Sequence, residues 1–107
     1  MPLTTVRPGT IQMQPNETYI IGGTEFTVFC LPERSRVGDT IEIYSAAEFK
    51  VQPAKPREQI VFFSDRTSDG ARGCITTHTR GQWIKLLCTL DDTEWMHIDS
   101  RGNFLIE

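Results

Sequence analysis

The feature that most constrains this chain is the alternation of side chains over residues 82–90. Successive side chains of a β-strand point to opposite faces, so this segment predicts a strand with Ile84, Leu86, Cys88 and Leu90 on one face. Elsewhere, no stretch repeats apolar residues at helical spacing over three turns. The chain is therefore predicted to be all-β.

The C-terminal residues predict two further strands. A polar turn leads from the first strand to one over 94–99, with Met96 and Ile98 facing the core. A second turn leads to a last strand over 104–106. Because polar turns of this length join neighbouring strands, the three strands are expected to form an antiparallel meander.

The rest of the chain follows the same pattern and fits one domain. We expect a compact antiparallel β-sandwich or β-prism-like domain over 14–107, preceded by a lead-in segment over 1–13. Residues 64–73 hold no large apolar side chain and predict an exposed, mobile loop. Strands are predicted at 24–31, 40–44, 49–52 and 60–63.

Several predicted strands are apolar on both faces. Trp83 and Leu87 lie opposite the apolar face of their own strand, and residues 61–63 and 104–106 are apolar throughout. A sheet with one face in water does not need this pattern, which indicates burial against a second sheet or another subunit. Self-association as a homotrimer is therefore predicted, with a monomeric sandwich as the alternative. The residues predicted for the subunit interface or core are Phe62, Trp83, Leu87, Phe104 and Ile106.

Composition limits the function classes. The chain has 14 acidic and 11 basic residues, a net charge of −3 and no basic block, which argues against binding nucleic acid. Apolar runs are no longer than three or four residues, so neither membrane insertion nor a secretory signal is predicted. The acidic residues fall at turns and solvent faces, and no nucleophile or phosphate-loop motif occurs. We predict a non-enzymatic protein without a cofactor.

The three cysteines are predicted to be free. Cys30, Cys74 and Cys88 form no C-x-x-C pair, and an odd number cannot close a disulfide framework. Each lies among strand-forming residues, where a thiol acts as a small apolar group. The alternative is a zinc site built from Cys74, His78, Cys88 and His97, but its spacing lacks the two close ligand pairs of structural zinc sites. No metal is therefore predicted.

An ordered set of segments resembles a known family. The opening 16–20 is similar to an N-T-G-Y-I motif, and matching segments follow at 31–32, 37–43, 86–89, Trp95 and 100–103. In this order and spacing, the chain resembles the small all-β C-terminal domain of tail fibres and tailspikes of tailed bacteriophages and prophages. The likeness extends through Ile106. The charged residues 65–72 and the Pro53 to Pro56 connection depart from the family pattern.

The resemblance implies a structural role. Such a domain trimerises, caps the C-terminal tip of the parent fibre chain and is part of the virion, after synthesis in the bacterial cytoplasm. Gly38 and Asp39 would shape a tight turn before a strand, Cys88 would lie in the core, and Gly102 would occupy the last turn. Some members also attach to the host surface, commonly to glycan.

A host-surface polysaccharide is accordingly a further candidate partner. A tyrosine ring can stack on the apolar face of a sugar, and charged loop residues can bind its hydroxyl groups. The candidate glycan-binding residues are Tyr44, Asp65, Arg66, Asp69 and Arg72. A monomeric carbohydrate-binding β-sandwich is the alternative function.

Overall fold

The computed structural model describes residues 3–5, 9–22, 25–77 and 82–107, and the all-β prediction is confirmed. These residues form strands and a single short 3-10 turn, Gly70–Arg72, and none of them is in an α-helix. The strands are β1 Leu3–Thr5, β2 Thr10–Gln12, β3 Glu17–Ile21, β4 Thr27–Cys30, β5 Thr40–Ser45, β6 Phe49–Gln52, β7 Gln59–Phe62, β8 Asp65–Arg66, β9 Ile75–Thr77, β10 Gln82–Leu90, β11 Glu94–Arg101 and β12 Phe104–Ile106.

Two sheets enclose one core. The seven-stranded sheet has the order β1-β3-β5-β10-β11-β7-β8, and the five-stranded sheet has the order β12-β9-β6-β4-β2. From β1 to β6, the chain alternates between the two sheets. Each pair of consecutive strands therefore forms one turn of a winding that passes through both sheets, and we call such a turn a layer. Successive layers stack in parallel, β1 on β3 on β5 in one sheet and β2 on β4 on β6 in the other.

This winding corrects the expected antiparallel arrangement, because half of the ten described strand pairings are parallel. Parallel neighbours need a long crossover, which in most proteins is a helix. In the four parallel pairs among β1 to β6, the crossover is a strand of the opposite sheet. A sequence that contains only strands therefore folds into parallel pairs without any helix.

The C-terminal half closes the sandwich with mainly antiparallel pairs, although β7 and β11 are parallel. The predicted hairpin of β10 and β11 is confirmed, with two bulges in its register. The predicted third strand of the meander does not pair with β11. Instead, β12 crosses to the other sheet and pairs with β9, because Phe104 and Ile106 pack against the core between the sheets.

A chain of aromatic contacts runs through this core. Ring centroids lie 5.9 Å apart for Tyr19 and Phe29, 5.8 Å for Phe29 and Phe49, 6.3 Å for Phe49 and Phe104, and 5.4 Å for Phe104 and Phe62. The rings come from β3, β4, β6, β12 and β7. The aromatic chain therefore joins the parallel layers to the antiparallel ones. Burial raises the pKa of Tyr19 to about 12.

The first residues contribute to the sheets. The segment over 1–13, expected to be a lead-in, includes β1 and β2, and the side chain of Met13 is completely buried in the core. The backbone N–H of Met13 donates to the carbonyl of Cys30. Residues 3–5 and 9–13 therefore belong to the folded body.

The polar segment over 64–73 is held against the body of the protein. It forms β8 and the 3-10 turn, and Thr67, Gly70 and Gly73 are buried. The Thr67 hydroxyl accepts a hydrogen bond from the Ile60 N–H, and the Ser68 N–H donates to the carbonyl of Glu107. The sequence predicted a loop exposed throughout, but backbone contacts that no side-chain pattern encodes bury part of it.

Candidate self-association surface

The outer face of the seven-stranded sheet is centred on β10. Alternation along β10 buries Ile84, Leu86 and Cys88 and leaves Trp83 and Leu87 half-buried on the outer face. Two large apolar side chains on the solvent side of a central strand match the two-faced pattern of the sequence. Leu90, predicted to face inward, is exposed because a bulge shifts the register between Cys88 and Leu90.

The sequence prediction assigned the side chains of β11 to the wrong faces of the sheet. Trp95 is completely buried, so Met96 lies on the outer face, where it is 42% exposed and pairs with Leu87. Ile98 is 46% exposed because a second bulge leaves it without a cross-strand partner. A strand whose phase shifts by one residue exchanges its two faces. Both faces of β11 carry large apolar residues. The indole of Trp95 is the largest of these side chains, and its burial places Met96 on the outer face.

We call Leu87, Met96 and Ile98 the outer strip. Val61 of β7 lies opposite Met96 but is nearly buried, so it adds little to the exposed apolar surface. Apolar patches rimmed by polar groups are typical of interaction surfaces. The outer strip is therefore the candidate interface.

Charges of both signs surround the outer strip. Lys85 forms an ion pair with Glu42 at 3.2 Å, and Arg66 forms one with Glu94 at 2.7 Å. The Thr89 hydroxyl also donates to Glu94 at 2.6 Å. Hydrogen bonds from Thr89 and Arg66 lower the pKa of Glu94. Because the rim carries both positive and negative side chains, a second copy of the chain can approach it without net repulsion.

Tyr44 and Trp83 form an aromatic pair at one end of this face. Their rings are stacked, with centroids 5.8 Å apart and an interplanar angle of 28°. Tyr44 is 39% exposed. The pair presents aromatic surface to solvent beside the cross-strand neighbour of Trp83, Arg101.

The other residues predicted for the interface or core lie inside. Phe62 is buried, and Phe104 and Ile106 pack against the buried cluster from β12. Only Trp83 and Leu87 of the predicted set reach the outer face. The sequence reasoning missed Met96, Ile98 and Phe63 as surface residues.

Phe63 is the most exposed large apolar side chain among the described residues, at 75%. It occupies the first position of the two-residue turn between β7 and β8, with φ of 57°. Of the two turn residues only this one has a positive φ, as in a type II′ turn, where glycine is the usual residue. Such a φ costs a non-glycine residue roughly 1–2 kcal/mol. The turn therefore displays a phenylalanine at the expense of strain.

The Phe63 ring packs against two other rings on its protein side. Its centroid lies 5.0 Å from Phe62 and 4.7 Å from His97, and Phe62 and His97 are themselves 4.3 Å apart. His97 Nε2 is 2.7 Å from the Ser100 hydroxyl, and burial lowers the pKa of His97. Phe63 is thus the solvent-facing end of the aromatic chain.

The candidate glycan residues do not meet in one place. Tyr44 lies on β5 and Arg66 on β8, with β10, β11 and β7 between them, a separation of roughly 19 Å at the usual strand spacing. Arg66 is paired with Glu94, whereas Asp69 precedes the 3-10 turn and Arg72 is its last residue. The five residues therefore belong to at least two separate surfaces.

The turn residues occupy the ends of strands. The Gly38 N–H donates to the carbonyl of Cys88, and the Asp39 carboxylate accepts hydrogen bonds from the Arg36 N–H and the Asn16 amide just before β5. Gly102 lies between β11 and β12 with φ of 114°.

The cysteines lie apart from this surface. Cys88 is buried, and burial raises the pKa of its thiol, whereas Cys30 and Cys74 are half-buried. Of the four alternative zinc ligands, His78 lies outside the described residues. Within the described part of the chain, no three His, Cys, Asp or Glu side chains are grouped to hold a metal ion.

No protein family matches the chain, and no curated protein is significantly similar to it. Within the described residues, no helix is both long and apolar enough to span a bilayer.

Proposed function

We propose that this chain is a structural module that self-associates as a homotrimer through the outer strip. The observation that carries the proposal is the exposure of Met96 and Ile98 beside Leu87 on the solvent side of the central strands. Burying the exposed part of each of these side chains contributes about 1 kcal/mol. Together the three side chains contribute about 3 kcal/mol per chain, which offsets part of the translational and rotational freedom lost on association.

A second copy of the chain is the proposed occupant. The pairs Lys85–Glu42 and Arg66–Glu94 give the rim both signs of charge, so a second copy of the chain can approach this face without a net repulsion. Rotational symmetry is the usual arrangement of identical subunits in soluble oligomers.

The biological setting rests on the sequence resemblance. The segments similar to tail fibre and tailspike tip domains include 86–89 and Trp95, which lie on the two central strands of the sheet. The proposed role is to align and cap three parent fibre chains in the virion, without catalysis. Attachment to a host-surface glycan is a further proposed duty.

The test is the mass in solution by light scattering on a sizing column, at two concentrations tenfold apart. A trimer has a mass of three times 12.2 kDa, about 37 kDa. The double variant Met96→Thr/Ile98→Thr keeps strand-forming residues and removes the apolar surface, so we expect it to dissociate at a concentration at least tenfold higher.

The matched control is Leu105→Thr, which changes an exposed apolar residue on a strand of the other sheet. It should assemble like the wild-type protein. A wild-type mass of one chain at both concentrations contradicts the proposal.

The aromatic pair favours a second candidate function, a monomeric carbohydrate-binding module. The Tyr44 and Trp83 rings expose aromatic surface on which a sugar can stack. Titration of host polysaccharide should then quench tryptophan fluorescence in the wild-type protein and not in Tyr44→Ala. Equal quenching in both proteins contradicts this function.

A further inference from the structure

We infer that Phe63 docks on the outer strip of a neighbouring copy, so that the subunits assemble head to tail. The inference rests on the proposed self-association and adds the residue and the geometry of the contact. It assigns two different surfaces to each chain, the Phe63 turn and the outer strip.

The first argument is that the fold itself does not require Phe63. Three quarters of the side chain is in water, so it contributes little to the core. Its φ of 57° suits glycine, which would make the same turn without strain. Strained residues concentrate at sites where the strained geometry serves a function. The function available to an exposed aromatic ring is contact with another apolar surface.

The second argument is that the ring is positioned in advance. Phe62 and His97 contact it from the protein side, and Phe62 is anchored in turn by Phe104. A side chain that is already oriented loses little entropy on binding. Large aromatic side chains placed in this way are common centres of binding energy.

The third argument is symmetry. A ring of three identical subunits requires a contact between two different surfaces of the chain, whereas a twofold dimer uses one surface twice. The chain offers a protruding aromatic group and, next to it, a flat apolar strip of moderate exposure, because Phe63 contacts the His97 ring between Met96 and Ile98. Phe63 on one copy and the outer strip on the next satisfy that requirement.

The experiment uses two variants of the full chain. Phe63→Gly removes the proposed anchor and leaves the outer strip intact. Met96→Thr/Ile98→Thr removes the strip and leaves Phe63 intact. We expect each variant alone to be monomeric at a concentration where the wild-type protein is a trimer. An equal mixture should form a heterodimer by light scattering, because one productive contact remains.

Phe63→Gly also separates binding from folding. Its urea midpoint, measured where the protein is monomeric, should equal or exceed that of Phe63→Ala, which keeps the strained φ without the ring. A Phe63→Gly midpoint below that of Phe63→Ala shows that the turn does not favour glycine and overturns the strain argument. Phe26→Ala, at an exposed phenylalanine elsewhere, is the control and should assemble as the wild-type protein does.

The outcomes distinguish this inference from the proposed function. If Phe63→Gly assembles as well as the wild-type protein, the anchor is wrong and self-association stands. If the two variants are monomeric and their mixture is also monomeric, the contact is not head to tail. If the wild-type protein is monomeric at both concentrations, the proposed function fails, and this inference fails with it.

Discussion

At Gly102 the backbone has a φ of 114°, and a Cβ atom there would overlap the side chain of Gln82. Gln82 is buried at the start of β10, so its side chain has little free space to move into. We expect Gly102→Ala to lower the free energy of unfolding by about 2 kcal/mol, from the strained φ and the overlap together. Urea denaturation measures the loss.

The control for that prediction is Gly38→Ala. Gly38 has a φ of 99° but open space around it, so only the backbone strain applies. A loss at Gly102 no larger than the loss at Gly38 would show that the Gln82 contact is unimportant.

Glu58 is a completely buried carboxylate that joins two loops. Its Oε1 accepts a hydrogen bond from the Ala54 N–H, and its Oε2 lies 2.8 Å from the Lys55 ammonium as an ion pair without hydrogen-bond alignment. The same ammonium donates to the carbonyl of Pro32. Lys55→Met would leave the buried carboxylate without its cation, and we expect a loss of about 3–5 kcal/mol in the free energy of unfolding.

The double variant Lys55→Met/Glu58→Gln tests the cause, because it removes both charges. In urea denaturation it should recover part of the stability that Lys55→Met loses. If the double variant is as unstable as the sum of the two single variants, the two charges do not interact.

At the scale of an element, β11 shows what the sequence could and could not predict. The strand, its length and its hairpin with β10 follow from the alternation and the polar turn. Its phase does not follow, because Trp95 and Met96 are both apolar and lie on opposite faces. The outer strip was therefore predictable for Leu87, where the inward face is unambiguous, and not for Met96 or Ile98.

Pairing direction was unpredictable for a different reason. The alternation of buried and exposed side chains along β3 and along β5 is the same whether the two strands are parallel or antiparallel. Their direction depends on where the intervening β4 crosses, which is a property of the whole winding. Local sequence patterns therefore predict where the strands lie better than they predict which strands pair and in which direction.

The first residue of β11, Glu94, gives the element a pH dependence. Its carboxylate accepts hydrogen bonds from Thr89 on β10 and Arg66 on β8, which lower its pKa from the ordinary value of 4.5. Because the folded-state pKa is the lower one, ionisation favours the fold. This stabilisation is complete above about pH 4.5 and is lost as the pH falls through the folded-state pKa.

We expect Glu94→Gln to lower the free energy of unfolding at pH 7 by about 1 kcal/mol and to weaken its dependence on pH in the acid range. Thermal unfolding from pH 7 to pH 3 measures both effects. The exposed Glu48→Gln is the control. An acid profile of Glu94→Gln that is parallel to the wild-type profile would contradict the assignment.

At the scale of the whole molecule, the aromatic chain makes one cooperative unit of two differently wound halves. Phe49 is completely buried at the junction, with Phe29 of the parallel layers on one side and Phe104 of the antiparallel layers on the other. Each half supplies only part of each sheet, so the rings at the junction are buried only while both halves are folded. Neither half is therefore expected to survive when the other unfolds.

Phe49→Ala should accordingly destabilise both halves together, by about 3–5 kcal/mol, while the conservative Phe49→Leu should lose less. Urea denaturation followed by tryptophan fluorescence reports on Trp83 and Trp95 in the antiparallel half, and hydrogen exchange of the β3 and β4 amides reports on the parallel half. Both signals should shift to the same lower midpoint, because the removed ring is part of both halves. A shift in fluorescence with unchanged exchange in β3 and β4 would mean that the parallel layers are stable by themselves, and the aromatic chain would then be a local contact.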